Sequence, residues 1–181
     1  DEYWDIIRRH PRLMGGALWD FVSPGITDRV RPLTDSSPYN TPVHLMGNSK
    51  VENGVLHLNG HDQWVEVYRS NNVELSSKAL TISFDVKPGE LSGIHEGAAY
   101  ITKGNTQFGV VQKGSDKLQF YLHSGVKHTL DVTLPENWVG SWHHITASWD
   151  SKEMKLYIDG ELKGTQSTAP QNSGRNQRWG Q

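Results

Sequence analysis

The sequence predicts an all-β protein, an antiparallel β-sandwich or jelly roll, with a short α/β segment in front of it. Three observations carry that expectation. Apolar and polar residues alternate strictly in several runs after Val51, glycine-bearing turns separate those runs at short intervals, and the opening residues follow a different pattern, a helical stripe and then a continuous apolar run.

In the opening segment, Trp4, Ile7 and the neighbouring Tyr3 and Ile6 form the helical stripe, and Arg8, Arg9 and His10 lie where cations favour a helix C-terminus. Pro11 ends it. Gly15 to Val22, GGALWDFV, then reads as a strand buried on both faces, as in parallel sheets. One α/β unit of this kind cannot fold alone, so residues 1–26 are expected to belong to a larger body. From Ser23 to Lys50 periodicity fails while Pro24, Pro32, Pro38 and Pro42 arrive among Ser36, Ser37, Asn40 and Asn48, so residues 27–50 are expected to be a linker or surface-hugging connection.

Beyond it the period becomes two. Leu80, Ile82, Phe84 and Val86 share one face of ALTISFDV, opposite Thr81, Ser83 and Asp85. Met154, Leu156 and Ile158 oppose Lys155, Tyr157 and Asp159 in the same way, and Leu118 to Leu122 repeats the pattern. Lys113-Gly114-Ser115-Asp116 and Asp159-Gly160 are hairpin signals. Residues 51–181 are therefore expected to form the sandwich.

Composition removes several function classes. The 181 residues carry 18 basic and 20 acidic side chains, a net charge of −2, spread without a basic patch, so nucleic acid is not an expected partner. The absence of cysteine excludes disulfides and thiolate metal sites. No apolar run is long enough to span a bilayer as a helix, so a membrane is not an expected partner either. The chain opens at Asp1 inside an expected helix, so the lack of a leader carries no information about export.

Trp142 to Gly164, WHHITASWDSKEMKLYIDGELKG, resembles the signature hairpin of laminin-G-like, concanavalin A-like domains, in which W-H-H-[VI]-A-x-[ST]-[WY]-D precedes L-Y-[VI]-D-G. Leu58 to Val67, Leu80 to Pro88 and Tyr100 to Asn105 fall in the order that such domains show. The resemblance weakens after Asn176, where further strands ending in an I-D-E/D-V-R-like stretch are expected, so the sandwich is expected to be truncated or rerouted at its C-terminal end. Tyr3 to Ile26, YWDIIRRHPRLMGGALWDFVSPGI, resembles the end of the catalytic barrel of glycoside hydrolase family 2 β-galactosidases, with P-R-L-x-G-G leading to a last strand ending in W-D-[WF]-V. That resemblance implies that residues 1–26 are a remnant of the last helix and strand of a (β/α)8 barrel. It also implies that Trp19 stacks on the sugar, that Asp20 joins it in the parent's substrate site, and that the parent works in the periplasm or outside the cell.

The same resemblance defines what the chain lacks. Family 2 enzymes are retaining glycosidases with two carboxylates about 5 Å apart. Both belong to barrel segments upstream of Asp1, and the E-x-D-x-x-E spacing of concanavalin A-like glucanases is absent as well, Asp85 being the lone carboxylate of its strand. His143 and His144 are strand neighbours that point to opposite faces, so they cannot share one ion; His143, on the face of Ile145, Ala147 and Trp149, is expected to be a hydrogen-bonded core histidine. Trp142 and Trp149 are expected to pack. Some laminin-G-like relatives bind calcium through loop carboxylates, and here Asp62, Glu96 and Asp150 are the loop candidates, without a D-x-D-x-D ladder. Sugar binding requires exposed aromatic rings, for which Trp64, Tyr68, Tyr121 and Trp138 are candidates, Trp138 being the one expected to reach solvent.

The reading that follows is a non-catalytic, carbohydrate-related accessory domain of a β-galactosidase-like glycoside hydrolase, with an oligo- or polysaccharide and the rest of the glycosidase as partners. The alternative is a purely structural module that buttresses the barrel or an oligomer interface.

Overall fold

The computed structural model describes residues 31–68, 73, 79–89, 97–104 and 106–169, which fall into two compact units divided after Val73. Every secondary-structure element described is a strand paired antiparallel.

In the first unit β1 (Arg31–Leu33), β2 (Val43–Met46) and β5 (Trp64–Val67) form one sheet in the order β1-β2-β5. β3 (Lys50–Glu52) and β4 (Val55–His57) form a separate hairpin over Asn53-Gly54, whose φ values of 52° and 77° suit a tight two-residue turn. Residues 27–50, expected as a linker, thus carry two strands: Val43 pairs with Val67 and Leu45 with Val65. The prolines hid them. Pro32 lies in β1, at the edge of the sheet, where its missing N–H costs nothing, and Pro42 immediately precedes β2 while its carbonyl accepts the Tyr68 N–H at 3.0 Å. Between them Asp35 ties the loop, accepting the backbone N–H groups of Ser37 at 2.8 Å and Thr41 at 2.7 Å.

The second unit is the sandwich. β7 (Ala98–Lys103), β8 (Phe108–Lys113), β9 (Lys117–His123) and β10 (Lys127–Thr133) form a meander in the order β10-β9-β8-β7. β6 (Leu80–Val86), β11 (His143–Trp149), β12 (Glu153–Ile158) and β13 (Glu161–Ser167) form the other sheet, in the order β13-β12-β11-β6. Inward residues from both sheets build one core: Val110, Leu118, Phe120, Leu122, Leu130 and Val132 from the meander meet Ile82, Ile145, Ala147, Met154, Leu156 and Ile158. Alternation produces this directly, because a period of two sends every second side chain of each strand to the same layer. Truncating a buried ring such as Phe120 removes about 3–5 kcal/mol.

The turns are as specific as the strands. Asp159-Gly160 joins β12 to β13 with φ values of 54° and 79°, a two-residue type I′ connection that matches the strand twist. β13 carries a bulge opposite Leu156 and Tyr157, and next to it Gly164 lies against β10, where an added Cβ would stand 2.9 Å from Val132 Cγ1.

Candidate functional site

Three groups of side chains combine exposure or polar convergence with a defined geometry. The first is on the outer face of the sheet that contains β6 and β11. Register sets Asp85 opposite His144 and Ser83 opposite Thr146, so two polar residues from each strand meet in a row. His144 Nδ1 is 2.7 Å from Asp85 Oδ1, His144 Nε2 is 2.9 Å from Ser83 Oγ, and Ser83 Oγ is 3.0 Å from Thr146 Oγ1. Immediately before β11, Trp142 is 54% exposed, which corrects the expectation that it packs. Asp85, the lone carboxylate of its strand, thus has an imidazole partner supplied by another one.

The second group is in the first unit. Trp64 and Tyr68 are 40% and 43% exposed, and alternation puts them on the same face of the strand as Glu66. His44, paired with Glu66, presents its ring edge-on to Tyr68 with centroids 4.7 Å apart. Its Nδ1 is buried without a hydrogen-bond partner among the described residues. The loop before Trp64 is tied by Asn59, whose Oδ1 accepts the N–H of His61 at 3.0 Å, whose side-chain amide donates to Asp62 Oδ1 at 2.7 Å, and whose backbone N–H donates to Gln63 Oε1 at 2.9 Å.

The third group is internal. Gln112 is fully buried, and its Oε1 accepts the Tyr100 hydroxyl at 2.7 Å and the Trp138 indole N–H at 2.9 Å, while its Nε2 donates to the Gly114 carbonyl at 3.0 Å. Burial pushes the Tyr100 hydroxyl up to about 12. Trp138 stacks on His143 at 4.8 Å, and His143 reaches Asp159 Oδ2 through Nδ1 at 2.8 Å and the Asn137 carbonyl through Nε2 at 3.2 Å. Asp159 also accepts the His144 N–H at 2.8 Å, and the bond from His143 leads the contacts that hold its carboxyl below the usual range. His143 is therefore the hydrogen-bonded core histidine its neighbours implied.

These placements correct two candidate sugar platforms. Trp138 is only 3% exposed, because the Gln112 amide and the His143 ring draw it into the core, and the expectation that it reaches solvent does not hold. Tyr121 is 5% exposed: its ring lies on Gly109, where a Cβ would meet it at 2.7 Å, and its hydroxyl donates to the Gly104 carbonyl at 2.8 Å. Trp149, by contrast, packs as expected and donates its indole N–H to Thr168 Oγ1 at 2.9 Å.

The described loop carboxylates are each tied within their own loop. Asp150 spends Oδ1 on the backbone N–H groups of Lys152 at 3.0 Å and Glu153 at 2.8 Å, which hold its carboxyl below the usual range, and Asp62 is tied to Asn59. Among the described residues no three acidic or histidine side chains are grouped to hold a metal ion. Glu96, Trp19 and Asp20 lie outside the described residues.

No curated protein sequence matches the chain. A family model described as the concanavalin A-like lectin/glucanases superfamily, of laminin-G type, matches residues 58–180, well over half of the 181 residues, and its span covers both sheets of the sandwich together with Trp64 and Tyr68. Strand alternation, two facing antiparallel sheets and this match agree: the chain belongs to the concanavalin A-like lectin/glucanase superfamily as a laminin-G-like member.

Proposed function

We propose that the chain is a carbohydrate-related accessory domain of a β-galactosidase-like glycoside hydrolase, and that it holds an oligosaccharide through Trp64 and Tyr68 without cleaving it. The observation that carries this reading is the exposed aromatic pair on one strand face with Glu66 between. Aromatic faces take the apolar faces of sugar rings, and the intervening carboxylate accepts from sugar hydroxyls. Four residues of strand separate the two rings by about 13 Å, longer than one sugar, so an oligomer fits better than a monosaccharide. Membership of a lectin/glucanase superfamily supports the ligand class. The resemblance of Tyr3 to Ile26 to the end of a family 2 barrel supports the parent, in which Trp19 and Asp20 would line the sugar site.

Affinity gels and glycan arrays test the binding. Retention on a β-galactoside-containing polymer is expected, weakened by about 1–3 kcal/mol in Trp64→Ala or Tyr68→Ala, the loss of one ring's buried area. No retention on any glycan would overturn it.

A second reading, a buttress against the parent or an oligomer partner, is favoured by the β3–β4 hairpin, where Val51 and Leu56 pair across the strands and both are exposed. Val51→Glu with Leu56→Glu would then weaken association in sedimentation velocity while leaving glycan retention unchanged.

A further inference from the structure

We propose that Ser83 is an activated nucleophile for acyl transfer, with His144 as its base and Asp85 as the residue that positions the imidazole. The assignment is independent of the carbohydrate reading. It rests on a directional hydrogen-bond chain fixed by the chemistry of its ends. The carboxylate of Asp85 only accepts, so Nδ1 of His144 carries the proton across the 2.7 Å bond. In the neutral imidazole Nε2 is then the lone-pair nitrogen, and over 2.9 Å it accepts the Ser83 hydroxyl proton. With that proton committed, the 3.0 Å contact to Thr146 is made by the threonine hydroxyl donating to Ser83 Oγ. The order Thr146, Ser83, His144, Asp85 therefore runs one way, with a nucleophile, a base within hydrogen-bond reach and a third group orienting the base.

The reaction is hydrolysis of a carboxylic ester. Ser83 Oγ attacks the carbonyl carbon as its proton passes to Nε2. The tetrahedral adduct collapses, the bond to the alkoxy oxygen breaks, and Nε2 returns the proton to the departing alcohol, leaving an acyl ester on Ser83. Water then gives a proton to Nε2, attacks the acyl ester and releases the acid, restoring the serine. Because Ser83 and Asp85 are exposed on the outer face of the sheet and His144 is half exposed, the fitting substrate is a small acyl group, such as acetyl, carried on a larger alcohol. The Thr146 hydroxyl is committed to Ser83 Oγ rather than to the developing oxyanion. A positioned base contributes about 10²–10⁴ in rate, whereas one missing oxyanion donor costs about 10²–10³, so Ser83 is expected to label readily and to turn over slowly.

The experiment uses the full 181-residue chain with an alkyl fluorophosphonate and with p-nitrophenyl acetate, read by intact mass, peptide mapping and nitrophenol release. A single adduct at Ser83 is expected. Its rate should fall about 100-fold or more in His144→Ala and in His144→Gln, which keeps a hydrogen-bonding group but no base. Asp85→Asn should move the pH at which labelling rises, and Ser148→Ala, on the same face but outside the row, should change nothing. Melting curves check that these surface substitutions leave the fold intact. No adduct at Ser83, or an adduct rate that both His144 variants leave unchanged, overturns the proposal.

Discussion

Two tryptophans just ahead of β11 show how a single residue's fate is decided. Trp138 and Trp142 sit four positions apart in a glycine-bearing loop, yet one is buried and the other is more than half exposed. The difference comes from Gln112, whose amide oxygen accepts from the Trp138 indole. Gln112→Leu leaves the Tyr100 hydroxyl and that indole N–H without their shared acceptor, so we expect a loss of about 2–4 kcal/mol by urea denaturation. Adding Trp138→Phe should recover part of it, the signature of a coupled pair. Sequence alone could not make this distinction, because alternation places Gln112 on the inward face of β8 but says nothing about which indole reaches it. The burial of His143 was legible from its neighbours Ile145 and Ala147. Its bond to Asp159 has a pH consequence. The Asp159 carboxyl is held below its ordinary value, so the folded state binds that proton less readily than the unfolded chain. The contribution is full above the unfolded pKa of about 3.9 and is lost as pH falls through the folded value. Asp159→Asn should therefore melt lower at neutral pH and lose less of its stability on acidification, as thermal scans between neutrality and strong acid would show.

At the scale of elements, the runs with strict alternation were legible, and the short irregular ones were not. β6, β9 and β12 coincide with the stretches that period two picks out, and Asp159-Gly160 adopts the turn its composition implies. β1 and β2 escaped because three or four residues beside prolines carry too little periodicity to be separated from a connection. The row of Ser83, His144 and Asp85 escaped for another reason. Each residue's face is readable within its own strand, but that β6 lies beside β11, with Asp85 opposite His144, is a fact of topology and register. Contacts between the sheets are equally invisible to alternation. Gly164 leaves room for Leu130 and Val132 of β10, so Gly164→Ala should crowd the junction and cost about 1–3 kcal/mol, with Gly160→Ala, where no atom stands within 4 Å, as a control for backbone strain alone.

For the whole molecule, family membership and the antiparallel sandwich of the described residues agree. Asp35 offers a check on the first unit by itself: hydrogen bonds from Ser37 and Thr41 bring its carboxyl to about 2, so its carbon resonance should titrate well below that of an unstructured aspartate while the loop stays closed. Strand order carries a consequence for how the sandwich comes together. The β7 to β10 meander and the β11 to β13 run are chains of adjacent hairpins, which close quickly, whereas β6 must find β11 across the intervening chain: the His144–Asp85 contact spans 59 residues. β6 is thus expected to be the last strand to dock, and Ile82→Val should accelerate unfolding far more than it slows refolding in stopped-flow traces. His144 and Asp85 come within 2.7 Å of each other only once that docking is complete. Labelling of Ser83 during refolding would then act as a clock, its onset marking the moment at which the last strand arrives.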